Sequence, residues 1–194
     1  MSLNLKIMKT IPPIDKSWTL FLDRDGVINE RIVDGYVMDF NDFVPVPQLF
    51  EALRIFNDKF GKIFVVSNQQ CIGKGLCTEN TVIHLHHQVN DMLLNNKILI
   101  DDFLFCPHKA SDNCNCRKPK PGLALKAVEK HPSIDFSKSI IVGDMLTDIQ
   151  FGHKLGMTTV YVGAPDNHQM KEITHLADFI FDNLSNRYED ANPA

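Results

Sequence analysis

Short unbroken apolar runs alternate with stretches of helical periodicity along most of the 194 residues. Trp18 to Leu22 predicts a buried strand that runs into Asp23. Pro47 to Phe60 predicts a helix, with Leu49, Leu53 and Phe56 at i, i+4 and i+7, Pro47 in its first turn and Gly61 as its stop. Lys62 to Ser67 is β-branched and apolar, a second strand. Thr78 is a capping residue for a helix to about Asn95, with Val82, Leu85, Val89 and Met92 on one face. Phe103 to Phe105 predicts a third strand, and Pro121 to Lys130 a short helix with Leu125 and Val128 turned inward. Ser139 to Val142, Thr158 to Val162 and Phe179 to Phe181 predict three more strands, with a helix over Thr147 to Leu155 stopped by Gly156.

Strands that are apolar throughout, rather than alternately, predict a parallel sheet covered on both faces, an α/β fold of three Rossmann-like layers. Ligands of such sheets bind beyond the carboxyl ends of the strands. The polar clusters fall there: Asp23 after the first strand, Ser67 after the second, a cysteine-rich segment after the third, Asp144 after the fourth. The organisation expected is an N-terminal extension over 1–17, one domain over 18–184 and a polar tail over 185–194. The Met1-Ser2-Leu3 start is left out of the fold.

Composition narrows the class. A hydrophobic fraction of 44%, a charged fraction of 23% and a net charge of −4 describe a globular domain without a nucleic-acid or membrane-binding surface. No run approaches the ~20 apolar residues of a membrane span, and the N-terminus lacks a signal-peptide core. The expected location is the cytoplasm, as a monomer, with its five cysteines reduced.

Asp23-Arg24-Asp25-Gly26 follows the first strand directly. A carboxylate there can attack phosphorus and form an acyl phosphate, and a second one two residues on can serve as acid and base if the chain curls at Gly26. Alone, the motif reads as well as a turn with solvated acids; Gly143-Asp144 at a second strand end makes it a magnesium site. Asp148, one turn beyond, is expected to cap the helix rather than bind metal. Ser67 and Asn68 offer hydrogen bonds to a phosphate, and Lys118 offers a cation ahead of a helix start. Lys118→Ala is expected to slow catalysis by orders of magnitude with little effect on stability.

Cys106-Pro107-His108 and Cys114-Asn115-Cys116 place four soft or borderline ligands within eleven residues, the set of a closed, structural zinc site. Zinc would staple the loop that carries Arg117 and Lys118. Cys71 and Cys77 are expected to be free thiols in a loop, and His84, His86 and His87 to lie on a solvated helix face.

Phe21-Leu22-Asp23-Arg24-Asp25-Gly26-Val27-Ile28-Asn29 resembles the first motif of the haloacid dehalogenase superfamily, and Ser67, Lys118 and Asp144 fall at its later motif positions. Cys-Pro-His with Cys-x-Cys-Arg-Lys-Pro resembles its zinc-loop, histidinol-phosphatase-like branch. The resemblance runs from Thr19 to Asp182 and implies a core without a large cap that hydrolyses phosphomonoesters. It makes Asp23 the nucleophile and Asp25 the acid/base, with magnesium on the Asp23 carboxylate, the Asp25 carbonyl and Asp144. Ser67 and Lys118 would hold the phosphoryl group, and Asn68, Gln69, Arg117, Asp34 and Tyr36 the rest of a small phosphorylated sugar. Asp34-Gly35-Tyr36-Val37 and Lys118-Pro119-Lys120-Pro121-Gly122 resemble the members that act on D-glycero-D-manno-heptose 1,7-bisphosphate. Histidinol phosphate is the alternative substrate, and a non-catalytic, zinc-stapled binding module the alternative of another class. Cys71 stands where the family has glycine, and a positive φ there would cost it about a kcal/mol. The segment Glu30 to Val33 is longer than is usual in the heptose branch.

Overall fold

The computed structural model describes residues 12–163 and 169–181; the expected tail over 185–194 and most of the N-terminal extension lie outside them. Six strands form one parallel sheet: β1 (Thr19–Leu22), β2 (Lys62–Asn68), β3 (Asp102–Cys106), β4 (Ser139–Gly143), β5 (Thr158–Val162) and β6 (Phe179–Phe181). Their order is β3-β2-β1-β4-β5-β6. The chain winds outward from β1 to β3 and then returns to β1's other edge as β4. The direction of winding reverses between β1 and β4, where the loops leaving the two strands diverge and open a crevice.

Successive side chains of a strand face opposite layers, and both layers are filled. Leu20, Leu22, Ile63, Val65, Ile140 and Val142 join one core with Leu49 and Leu53 of α1 (Leu49–Lys59) and Leu85, Val89 and Leu93 of α3 (Glu79–Asn95). Phe21, Phe64, Val66 and Ile141 join a second core with α4 (Gly122–Lys130) and with Phe151 of α5 (Leu146–Leu155). Burial on both faces explains the unbroken apolar strands. Ile14, inside the expected extension, also packs on the first core. Among the described residues no second domain interrupts the sheet, and no helix is long and apolar enough to cross a membrane.

Three expectations are corrected. Helix α4 turns Leu123, Ala124 and Ala127 inward, while Leu125 is exposed; the two alanines let the helix lie close to the sheet. Helix α1 starts after Gln48, so Pro47 is outside it, and Gly61 is not a left-handed stop: a side chain there would meet the Lys16 carbonyl at 2.0 Å. His86 lies on the buried face of α3, not in water. Thr78 does cap α3, exchanging hydrogen bonds with Thr81.

Candidate active site and metal centres

Asp23 leaves β1 at the crevice with its backbone N–H still bonded to the Val142 carbonyl of β4. Its Oδ1 accepts from the Arg24 N–H at 2.8 Å and faces Lys118 Nζ at 2.9 Å. The chain then curls: Ile28 and Asn29 both donate to the Arg24 carbonyl, and Gly26 donates to Asn29. Gly26 has φ +91°, and a Cβ there would sit 1.9 Å from Asp144 Oδ2, so only glycine lets the two loops meet.

Asp25 turns inward. Arg24, itself fully buried, donates to both its oxygens at 2.8 to 3.1 Å, and Asn29 and Gln69 each donate at 3.0 Å. Burial raises the Asp25 carboxyl, but the Arg24 charge and the hydrogen bonds from Arg24, Asn29 and Gln69 leave it below the ordinary value. Arg24 is held in turn by the Val37 carbonyl at 3.1 Å and by His86 Nε2 at 3.4 Å. Burial and Arg24 push His86 down to about 3, so the imidazole is neutral and receives the guanidinium's hydrogen bond.

Ser67 lies at the end of β2, and Gln69 follows the strand. Gln69 donates to Ser67 Oγ at 2.7 Å, which leaves the hydroxyl hydrogen to be donated elsewhere. Gln69 is buried and serves Asp25 and Ser67, not an open surface. Asn68 is also occupied: its Oδ1 accepts the Lys118 N–H at 3.0 Å and its Nδ2 donates to the Lys118 carbonyl at 3.2 Å. This clasp positions Lys118, whose ammonium lies 2.6 Å from the Val66 carbonyl and 2.6 Å from Asp148 Oδ1. Burial pushes the Lys118 ammonium down, and Asp148 and Asp23 more than restore it. Lys118 is thus a core residue as well as the cation placed ahead of a helix start.

Asp144 follows β4. Burial and Asp23 raise its carboxyl to about 6, with Arg31 opposing the rise. Asp148 is fully buried, caps α5 by accepting the Met145 N–H at 3.1 Å, and is raised to about 7 by burial and the neighbouring acids. Carboxylate oxygens of Asp23, Asp144 and Asp148 all lie within 4.8 Å of one another. A cluster of hard oxygen donors from three carboxylates, converging at the crevice, fits magnesium.

The second cluster joins Cys106, His108, Cys114 and Cys116, again within 4.8 Å. The sulfurs are 3.1 to 3.5 Å apart, and His108 Nδ1 is 3.3 Å from Cys116 and 3.6 Å from Cys106. A tetrahedron of thiolates around zinc has edges slightly under 4 Å, so the quartet fits that ion. The Arg117 N–H and the adjacent thiols bring Cys114 down to about 7 against the upward push of burial. Arg117 donates to the His108 carbonyl at 3.1 Å, bracing this knot.

At the mouth, Asp34 is exposed at φ +55°, and the Tyr36 hydroxyl accepts from Lys74 at 2.7 Å and Gln70 at 3.0 Å. Cys71 lies in a helical turn, α2 (Gln70–Gly73), so it bears no positive-φ strain. It is buried, not in a loop, and burial and Cys77 raise its thiol to about 12. Sequence reasoning missed Arg31, Lys74, Gln70 and the support given by Arg24 and His86. For His86 the signal was present, since it falls four residues after Val82 and three before Val89; for Arg31 there was none.

An inward-curling Asp-x-Asp loop at the switch point of a parallel sheet, faced by a buried lysine and a Gly-Asp loop, is the architecture of haloacid dehalogenase-type hydrolases. A family model described as "HAD-hyrolase-like" matches residues 115–186. The chain is 41% identical over 138 residues to a D-glycero-alpha-D-manno-heptose-1,7-bisphosphate 7-phosphatase of Mycobacterium bovis, covering 71% of this chain and 73% of that one. It is 34% identical over 160 residues to the D-glycero-beta-D-manno-heptose-1,7-bisphosphate 7-phosphatase of Vibrio cholerae, covering 77% and 84%. The D,D-heptose 1,7-bisphosphate phosphatase of B. bronchiseptica, solved with magnesium and phosphate, shares the fold, with a TM-score of 0.76 at 24% identity over 87% of this chain and 94% of that one. This chain belongs to the heptose-1,7-bisphosphate 7-phosphatase family of haloacid dehalogenase-like hydrolases.

Proposed function

We propose that the chain removes the 7-phosphate of D-glycero-D-manno-heptose 1,7-bisphosphate by way of an aspartyl phosphate on Asp23. The observation that carries this reading is the convergence of Asp23 with Lys118 at 2.9 Å and with the Asp144 carboxylate in one crevice. Relatives named for that substrate support the choice of sugar. Lys118 and the Arg24 N–H both occupy Asp23 Oδ1, which leaves Oδ2 to attack phosphorus. The P–O bond to the sugar breaks as the Asp23–phosphorus bond forms; Asp25, which Arg24, Asn29 and Gln69 hold ionised in the resting site, turns from them toward the crevice, takes up a proton from solvent and gives it to the departing alkoxide. Asp25 then takes a proton from water, whose oxygen attacks the same phosphorus and releases inorganic phosphate with Asp23 restored. Ser67 donates its free hydrogen to a phosphoryl oxygen, and Lys118 neutralises another. Magnesium on Asp23, the Asp25 carbonyl and Asp144 would offset charge on the phosphoryl oxygens. Zinc on Cys106, His108, Cys114 and Cys116 would hold the loop from which Lys118 projects. The reading places the enzyme in the cytoplasm, where thiols stay reduced and available to zinc.

The test is phosphate release from both anomers of the heptose bisphosphate and from histidinol phosphate. The heptose substrate is expected to turn over fastest, and Asp23→Asn to abolish release. Faster turnover of histidinol phosphate would replace the substrate; release unaffected by Asp23→Asn would remove the chemistry.

A further inference from the structure

The Arg31 guanidinium lies on the oxygens just assigned to magnesium. Its Nε donates to Asp144 Oδ2 at 2.8 Å, and its Nη2 donates to Asp144 Oδ1 at 2.6 Å and to the Asp25 carbonyl at 3.0 Å. The same Nη2 stands 4.0 Å from Asp23 Oδ2. One side chain thus addresses the Asp144 carboxylate, the Asp25 carbonyl and the Asp23 carboxylate together. Arg31 belongs to the loop that follows Asn29.

We propose that Arg31 is a displaceable cation of this site: it must leave for a divalent metal to bind, and once displaced it serves as a ligand for the phosphoryl group. The inference rests on the phosphatase reading. Magnesium holds its oxygens at about 2.0–2.1 Å in near-octahedral geometry, which leaves no room for a guanidinium fork on the same carboxylate and carbonyl. Two cations on one set of oxygens also repel. Departure is easy for this side chain. It is 40% exposed, on a loop whose next residues, Ile32 and Val33, are themselves 40% and 84% exposed. The backbone need not move, because Glu30 stays pinned by its N–H to the Val44 carbonyl at 2.7 Å. At rest the guanidinium is 4.0 Å from the Asp23 oxygen assigned to attack phosphorus, so a short swing off Asp144 leaves it beside the incoming phosphoryl oxygens. Metal and phosphate therefore favour one another's binding through Arg31.

The experiment is calorimetric titration of magnesium into wild type, Arg31→Gln and Arg31→Lys, each with and without inorganic phosphate, after melting curves confirm that all three fold. Without phosphate, Arg31→Gln is expected to bind magnesium about fivefold more tightly, the scale of a part-exposed ion pair, with Arg31→Lys between the two. Phosphate should tighten magnesium binding in wild type and do so less in Arg31→Gln. Equal or weaker magnesium binding by Arg31→Gln overturns the proposal and leaves the metal site standing. If wild type binds magnesium no better than Asp144→Asn, the metal-site reading itself falls, and this proposal with it.

Discussion

Lys118 Nζ lies 2.9 Å from Asp23 Oδ1, and the two side chains are only 1% and 9% exposed. A pair so removed from water interacts more strongly than a surface pair, and each partner depends on the other to offset its lost hydration. Asp148 completes the arrangement from Lys118's other side at 2.6 Å. In the proposed reaction Asp23 is therefore oriented by a cation that Asp148 and the Val66 carbonyl hold in place.

Lys118→Met is expected to cost both rate and stability. Catalysis should fall by about 10²–10³-fold, as for loss of one preorganised charge donor. Stability should fall by about 3 kcal/mol, because Asp23 and Asp148 are left buried without a partner. This replaces the sequence-based expectation of little effect on stability, because Lys118 is buried between two acids. Steady-state phosphate release and chemical denaturation measure the two losses.

Gly26→Ala should unfold the metal site before the fold. The new Cβ meets Asp144 Oδ2 at 1.9 Å and must also sit at φ +91°. The left-handed backbone alone costs about 1–2 kcal/mol, and relief of the contact requires Asp144 to move away. Magnesium affinity and activity should both fall, the first read by calorimetry and the second by phosphate release.

His86 makes acid stability testable. Its ordinary value is 6.5 and its folded value about 3, so the unfolded chain takes up this proton first as pH falls. Stability from this group is full above pH 6.5 and is lost as pH drops toward 3, by up to about 1.4 kcal/mol per pH unit. His86→Gln keeps an acceptor for Arg24 and removes the titration. Its stability curve should be flatter than wild type between pH 6.5 and 3, as read by denaturant midpoints.

Purified protein is expected to carry one zinc per chain on Cys106, His108, Cys114 and Cys116. Removal by a strong chelator should lower the melting temperature and expose the segment 107–117 to protease, with activity falling because Lys118 is two residues beyond Cys116. Metal analysis and melting curves of Cys116→Ser check the same point. Full activity in verified zinc-free protein would deny the loop its stapling role.

The sheet was legible because burial on both faces writes a continuous apolar run, and all six strands lie within a residue of their predicted bounds at either end. Asp23 and Asp144 were legible because each follows such a run, and the zinc quartet because its spacing is local. Arg31 was not, since its partner Asp144 is 113 residues away and no periodicity connects them. Asn68 and Gln69 were recognised as site residues but not for what they do: whether an amide faces substrate or braces a neighbour depends on packing. Leu125 was misplaced because two alanines, weak signals in a hydrophobic pattern, decide which side of α4 meets the sheet.

Asn68 grips the Lys118 backbone by both its N–H and its carbonyl, tying β2 to the zinc loop. In the proposed reaction, bond-breaking rests on this tied framework, apart from the Tyr36, Lys74 and Gln70 cluster at the mouth. On that reading, substitutions among Tyr36, Lys74 and Gln70 are expected to alter which alcohol is accepted while leaving the cleaving residues in place.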